Sequence, residues 1–443
     1  MGEKAARLRL DLLFEEILSE GTKAAARQAG DLSSWTRHRD MPLKDIILCT
    51  LAKKGLTTTM EVRKYFQEAE KAERTVSKQA YLKQRQKLNP EAIKLFNLNY
   101  LKRFYDSGEA EEWQGHIVFA ADGSRAEIPN SAENRREYGE SVNKYGKGAA
   151  RANLSILHDV FNRFILDVYI DRYEGSEIEA AKAHIQALKE IAGGRSALIL
   201  FDRNYVSLEF MDFLEKSGVK YLIRLHKTDY KAEAGGMHSG DEEVELKYTN
   251  ARLRSLKHKN PERAAALAEQ KSGFVRIVKV RFDNGEEASF VTNLREGTAS
   301  DIQDLYRKRW SIEKKYHTLK NKLKFESVTG KASIYVPQDF WAQTLVFNIV
   351  QDLITEAESR AAEEAKRKRL KYEVRINENI AIGLFKEIFI RLMMEENSIL
   401  KEQMFKKLIA DMEKNIVPVR SLKSAPRKWK YFNKYKCNQK PAF

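Results

Sequence analysis

Hydrophobic spacing changes character three times along the chain. Up to about residue 112 it is helical. RLDLLFEEIL repeats apolar positions at helical intervals, and MPLKDIILCTLAKKG follows with Pro42 at a helix start and Gly55 at its end. Two further amphipathic segments flank the Asn89-Pro90 break, the first made basic by Lys78, Lys83, Arg85 and Lys87. From His116 the texture becomes α/β. HIVFAA is a buried-type strand ending at Asp122, with Gly123 and Ser124 as turn residues. ANLSILHDV and FILDVYI read as a hairpin around Asn162-Arg163, and EIEAAKAHIQALKEIAGG as a helix stopped by glycines. ALILF is a second buried strand, ending at Asp202; a helix, VSLEFMDFLEKSG, and a strand, VKYLIRL, complete the run. This order predicts an α/β fold with a mixed sheet.

Between about Lys227 and Glu296 the alternation stops. EVELKY, FVRIVKVRF and ASFVTNL read as strands, the last two joined at Asp283-Asn284-Gly285, a strong hairpin signal. Helix resumes from Ala299 to Lys324 and dominates the remainder. The expected organisation is a helical N-terminal region over 1–112 and a catalytic α/β domain built from 113–226 and 297–357. A β-rich insertion occupies 227–296, and a helical C-terminal region covers 358–443.

Charge narrows the choice of partner. The 443 residues hold 79 Lys+Arg against 63 Asp+Glu, a net +16. Such an excess favours a polyanion, because each neutralised phosphate releases condensed counterions. The basic helix pair before residue 112 could dock on DNA, although a solvated charged face is the commoner meaning. From Lys414 to Phe443 there are nine Lys/Arg and no acid, with Trp429, Tyr431, Phe432 and Tyr435 interleaved. Arg427, Lys428 and Lys430 among these aromatics suit backbone contact and base stacking. Cys49 and Cys437 form no CxxC, which argues against zinc fingers and a disulfide scaffold. No apolar run spans a membrane, so a soluble, intracellular protein is expected. The histidines lack metal-ligand spacing, and neither GxxxxGK[ST] nor GxSxG occurs.

The most specific stretch is DLYRKRWSIEKKYHTLKNKLKFESV. On one continuous helix, Tyr306, Arg309, Glu313 and Lys320 fall within a ~60° sector. Leu305, Ile312 and Leu319 form a neighbouring apolar seam that would bury the helix and aim the polar row at a cleft. Glu313 can hold a divalent metal, Arg309 and Lys320 can bind phosphates, and Tyr306 can contact a phosphate or stack. Ordinary i,i+4 pairing of Arg309 with Glu313 is the plainer alternative; it accounts for the charges but not for the Tyr or the spacing.

Tyr-x2-Arg-x3-Glu-x6-Lys resembles the YREK signature of bacterial insertion-sequence transposases, which carry a DDE carboxylate triad on an RNase H-like fold. VFAADGSR is similar to that family's first-Asp segment and LILFDRNYVS to its second, with Asn204 where the family usually has Gly. The likeness covers most of the chain. It implies an RNase H-like mixed sheet flanked by helices, with the β-rich insertion ahead of the last catalytic helix.

It also implies Asp122, Asp202 and Glu313 as catalytic residues binding two Mg²⁺ ions, with Mn²⁺ as substitute. Two aspartates at strand ends and a glutamate on a helix packed against the sheet can converge from remote sequence positions. Asp159, Asp167, Asp171 and Glu326 are the competing acids. Contacts to DNA are expected from Tyr306, Arg309, Lys320, Arg203 and Trp310, beside the tail residues. The implied partner is double-stranded DNA, terminal inverted repeats and target, bound by a homodimer on paired ends in the bacterial cytoplasm at the nucleoid. A hairpin intermediate is implied too. It needs an aromatic to receive a displaced base, and the insertion holds no Trp, leaving Phe274, Phe282, Phe290 or Trp310. Two other readings fit the residues: a transposase-derived DNA-binding protein without catalysis, and a general RNase H-like nuclease.

Overall fold

The structure is a computed structural model that describes residues 5–37, 40–142, 145–146, 148–282 and 285–419. It divides into two compact units. Unit 1 comprises Met1–Arg103, Ala126–Ala152 and Tyr316–Phe443; unit 2 comprises Phe104–Arg125 and Asn153–Lys315.

Unit 2 is built on a mixed sheet. Its strands are β1 (His116–Glu127), β3 (Gly148–Asp159), β4 (Ile165–Arg172), β5 (Ser196–Phe201), β6 (Lys220–Arg224), β7 (Asp241–Lys247), β8 (Ser272–Arg281) and β9 (Glu287–Thr292). A short β2 (Glu140–Val142) pairs with the start of β3 in unit 1. The spatial order is β4-β3-β1-β5-β6-β9-β8-β7, with β1, β5 and β6 parallel. Its first five strands are a meander followed by two parallel strands across the centre, which is the RNase H-like arrangement expected from the sequence. The three strands anticipated in 227–296 form, and they continue this sheet: β9 pairs antiparallel with β6, β8 with β9, and β7 with β8. The polar stretch between β7 and β8 folds as two helices, Arg254–Lys259 and Pro261–Gln270.

Burial explains the strand sequences. Ile117 to Ala121 and Leu198 to Phe201 are at most 1% exposed, so β1 and β5 are covered on both faces and read as unbroken apolar runs. The helix Glu177–Ala192 packs on β4 and Leu208–Lys216 on β6. Each starts at a serine, Ser176 or Ser207, whose hydroxyl accepts an N–H of its first turn. The first ends at Gly193 in the left-handed region, where glycine carries no Cβ penalty.

Unit 1 is mainly helical. Its longest helix, Tyr335–Arg367, buries nearly all of its first twenty residues. Charged groups are buried with it, in pairs. Arg9 makes a bidentate bond to Asp352 at 2.7 and 2.8 Å, and Arg85 bonds Asp339 at 2.6 Å while Lys53 reaches the other Asp339 oxygen at 3.1 Å. Arg85 is wholly buried, which removes it from the basic face anticipated for its helix. Among the described residues no helix is long and apolar enough to cross a membrane.

Candidate active site

Strand register places the two aspartates. His116 to Ala120 of β1 pair in order with Ser196 to Leu200 of β5. Two residues beyond the last of these pairs come Asp122, within β1, and Asp202, just past the end of β5, level on adjacent parallel strands that lie ~5 Å apart. Gly123 and Ser124 are not the turn expected after Asp122: β1 continues through them to Glu127. Asp202 caps the short turn Arg203–Tyr205, accepting from the Asn204 backbone N–H at 2.8 Å. The Asn204 side-chain amide adds a 3.3 Å bond to its other oxygen, a contact a glycine could not make. Asp122 is partly buried and accepts the Gly123 N–H at 3.0 Å. Its carboxyl is pushed up to about 6: burial is the main cause, the Arg309 guanidinium opposes it, and the charges of Asp202 and then Glu177 add to it.

Glu177 enters the sequence analysis only as the first letter of the helix segment EIEAAKAHIQALKEIAGG. Its carboxylate lies against Gly123, so close that a methyl group there would meet Glu177 Oε1 at 2.9 Å. Burial first, and then Asp202, raise it above the usual carboxylate range, with Arg125 opposing. Tyr205, known from the sequence only as part of DRNY, is the second addition. Its ring is fully buried against Phe201 and Phe210. Its hydroxyl has no hydrogen-bond partner, and it feels Glu177, Asp122, Asp202 and Arg309. Burial, then the three acids, hold that phenol well above its ordinary value.

The helix carrying the polar row is interrupted. It runs Ala299–Lys308 and Ser311–His317, with a turn at Arg309-Trp310, and a π-helical segment follows over Thr318–Lys322. The single regular helix drawn from spacing is therefore interrupted at two places. Tyr306 is buried with its ring 4.6 Å from that of Phe290. Arg309 is buried, with its guanidinium 5.6 Å from the Tyr306 ring, 6.0 Å from the Trp310 ring and 3.5 Å from Glu313. Its Nε has no hydrogen-bond partner. The Glu313 side chain is 49% exposed. Trp310, 47% exposed, and Arg203 stand at the surface. Lys320 belongs to unit 1 and pairs there with Glu326 at 3.3 Å. Phe290 is core and cannot receive a base, whereas Phe274 is exposed. Arg427, Lys428 and Lys430 lie outside the described residues.

Asp122 and Asp202 thus sit together with Glu177, and Glu313 is joined to them through Arg309. Among the described residues no three His, Cys, Asp or Glu side chains are close enough to hold one metal ion as they stand. The competing acids are otherwise engaged. Asp159 accepts from Tyr105 at 2.7 Å and caps the β3–β4 turn, and Asp167 pairs with His184 at 2.7 Å. His184 in turn reaches Ser155 at 2.9 Å, and the Ser155 hydroxyl donates to the Asp122 backbone carbonyl at 3.2 Å. This buried chain ties the middle of β1 to the helix Glu177–Ala192.

Residues 113–349 match the family described as the transposase DDE domain. The transposase InsG for insertion sequence element IS4 of Escherichia coli (strain K12) is 23% identical over 283 residues, covering 62% of this chain and 61% of that protein. The matched span is thus less than two thirds of that relative's own length. A cryo-EM structure of the piggyBac transposase synaptic complex with hairpin DNA aligns over 94% of this chain and 87% of its own. The identity there is 10% and the TM-score 0.42.

Proposed function

This chain belongs to the transposase DDE domain family, and from that premise we propose that it is a cut-and-paste DNA transposase. In this reading it cleaves terminal inverted repeats and transfers the freed 3′ ends to target DNA. The observation that carries the proposal is the level placement of Asp122 and Asp202 on adjacent parallel strands beside the Arg309–Glu313 pair.

The residues fit a divalent cation. The donor set is all carboxylate oxygen, which suits a hard ion such as Mg²⁺. Asp122 is an acid whose negative charge is disfavoured where it sits, and the buried Tyr205 hydroxyl beside it lacks an acceptor. Asp122, Asp202 and Glu313 would hold two Mg²⁺ ions, with Mn²⁺ as substitute; when bound, these activate the attacking oxygen and stabilise the leaving 3′ oxygen. In this reading Glu313 leaves Arg309 to join the aspartates. An i,i+4 pair of this exposure is worth about 0.3–0.5 kcal/mol, too little to hold it at Arg309.

The remaining residues position the substrate. Arg309, buried between Tyr306 and Trp310, offers a fixed guanidinium to a phosphate next to the scissile one. Arg203 adds an exposed positive charge one residue from Asp202. Trp310 presents a ring on which an unpaired base can stack, the need of a hairpin intermediate. No protein nucleophile is required, since in-line displacement depends on alignment and charge neutralisation. A homodimer on paired ends, acting at the nucleoid, completes the proposal.

The test is incubation of the purified protein with Mg²⁺ and end-labelled terminal repeats. Nicks leaving a 3′-OH at the repeat, joined afterwards to a target plasmid, are expected; Asp202→Asn and Glu313→Gln should bind the repeats without cutting. Binding with no cleavage by the unaltered protein assigns it to the DNA-binding class instead. Equal cleavage of unrelated duplexes, without joining, assigns it to the general nucleases.

A further inference from the structure

We propose that Glu177 is a fourth carboxylate of the metal site, oriented by the Tyr205 hydroxyl. The inference rests on the metal-dependent reading above and extends it to two residues outside the aspartate–aspartate–glutamate set.

Three observations carry it. First, Glu177 is half-buried, yet its carboxylate has no hydrogen bond or ion pair among the described residues; its nearest opposite charge is the more distant Arg125. A carboxylate left this way beside Asp122 and Asp202 needs a cation to offset the repulsion. Second, space has been kept for it. Gly123 follows Asp122 directly, and its missing side chain is what lets Glu177 Oε1 approach; any Cβ would fall 2.9 Å from that oxygen. Gly123 does not have a positive φ, so the backbone itself does not demand glycine there. Third, the Tyr205 hydroxyl is fully buried without an acceptor, in the field of the same three acids. A phenol can only donate to a carboxylate, so it is placed to fix the rotamer of whichever acid turns inward. Glu177, at the first turn of the helix Glu177–Ala192, has the reach to do so.

In this arrangement Glu177 joins the two aspartates from the helix Glu177–Ala192. It supplies an oxygen to a cation held by Asp122 and Asp202, by a rotation of its own side chain. Glu179, two residues on, is a natural control, because its carboxylate is largely exposed and engaged by Lys182 at 2.9 Å.

The experiment is Mn²⁺ binding to the metal-free full-length protein, read by electron paramagnetic resonance as free ion against bound ion. Glu177→Gln and Gly123→Ala should each weaken binding about tenfold or more, the second without changing charge. Tyr205→Phe should weaken it by roughly 10-fold, while the metal-free variant melts no lower than the parent, since no hydrogen bond is lost. Glu179→Gln should bind as the parent does. Parent-like binding by both Glu177→Gln and Gly123→Ala, alongside loss of binding in Asp202→Asn, overturns the role of Glu177 and leaves the metal site standing. Parent-like binding by Asp202→Asn as well overturns the site itself.

Discussion

Asp122→Asn should stabilise the metal-free protein, and by an amount the structure sets. The Asp122 carboxyl is raised from an ordinary 3.8 to about 6. A rise of two pH units corresponds to about 3 kcal/mol of preference for the neutral form. Solvent reaches part of this side chain, and screening brings the expected gain nearer ~1–2 kcal/mol. The sign follows from linkage. Because the folded-state value lies above the unfolded one, folding favours the protonated acid. The penalty of carrying the charge is absent below about 3.8, develops between 3.8 and 6, and is complete above 6. Asparagine never carries it and keeps the oxygen that accepts the Gly123 N–H. Thermal unfolding with a chelator present should therefore show Asp122→Asn melting some 2–8 °C above the parent at pH 7.5. The gap should narrow progressively towards pH 4.5. Adding Mg²⁺ should raise the parent and leave the variant where it was. A variant that melts at or below the parent at pH 7.5, or a gap that ignores pH, would refute the reasoning.

Three further outcomes follow from the same coordinates. Ser155→Ala removes the hydrogen bonds to the Asp122 carbonyl and to a nitrogen of the buried His184, and should cost about 1–3 kcal/mol in urea unfolding; a loss under half a kcal/mol would show the chain of bonds to be idle. Arg85→Met leaves Asp339 with the Lys53 ammonium and the Thr329 N–H but without its guanidinium, and should destabilise by about 3–5 kcal/mol. Since Arg85 is buried, the salt dependence of DNA binding by the folded fraction should not change; a shallower salt slope would put Arg85 on the nucleic acid after all. Trp310→Ala should leave the melting temperature alone, the ring being half exposed, yet weaken binding to a terminal repeat carrying an unpaired base by about 1–3 kcal/mol in fluorescence anisotropy.

The mixed sheet was legible because its information is local. Runs such as IVFAA and ALILF carry no polar residue, so burial on both faces could be read from five letters. The end at Asp202 was legible too, whereas β1 runs on through Asp122 to Glu127. The three later strands were legible for the same reason, but their addition to the main sheet was not, because edge pairing between β6 and β9 has no local signature. The helix with the polar row was identified by spacing, while its two interruptions were missed; neither glycine nor proline lies between Ala299 and Lys324 to mark them. Glu177 looked like one more acid in a first turn, a position that helix dipoles favour in any protein. Arg85 looked like part of a solvated basic face because its partner, Asp339, is 254 residues away. Residues whose meaning depends on remote partners are the ones a pattern cannot reveal.

Those remote partners bear on how the chain is made. Arg9 meets Asp352 across 343 residues, and at ~5–20 residues per second the ribosome needs roughly 17 to 70 s to deliver the second after the first. Throughout that interval Arg9 is without the carboxylate of the late helix that it pairs with in the folded chain. A nascent chain arrested before that helix emerges should consequently be recognised by chaperones and proteases, and the finished molecule should appear all at once near the end of synthesis.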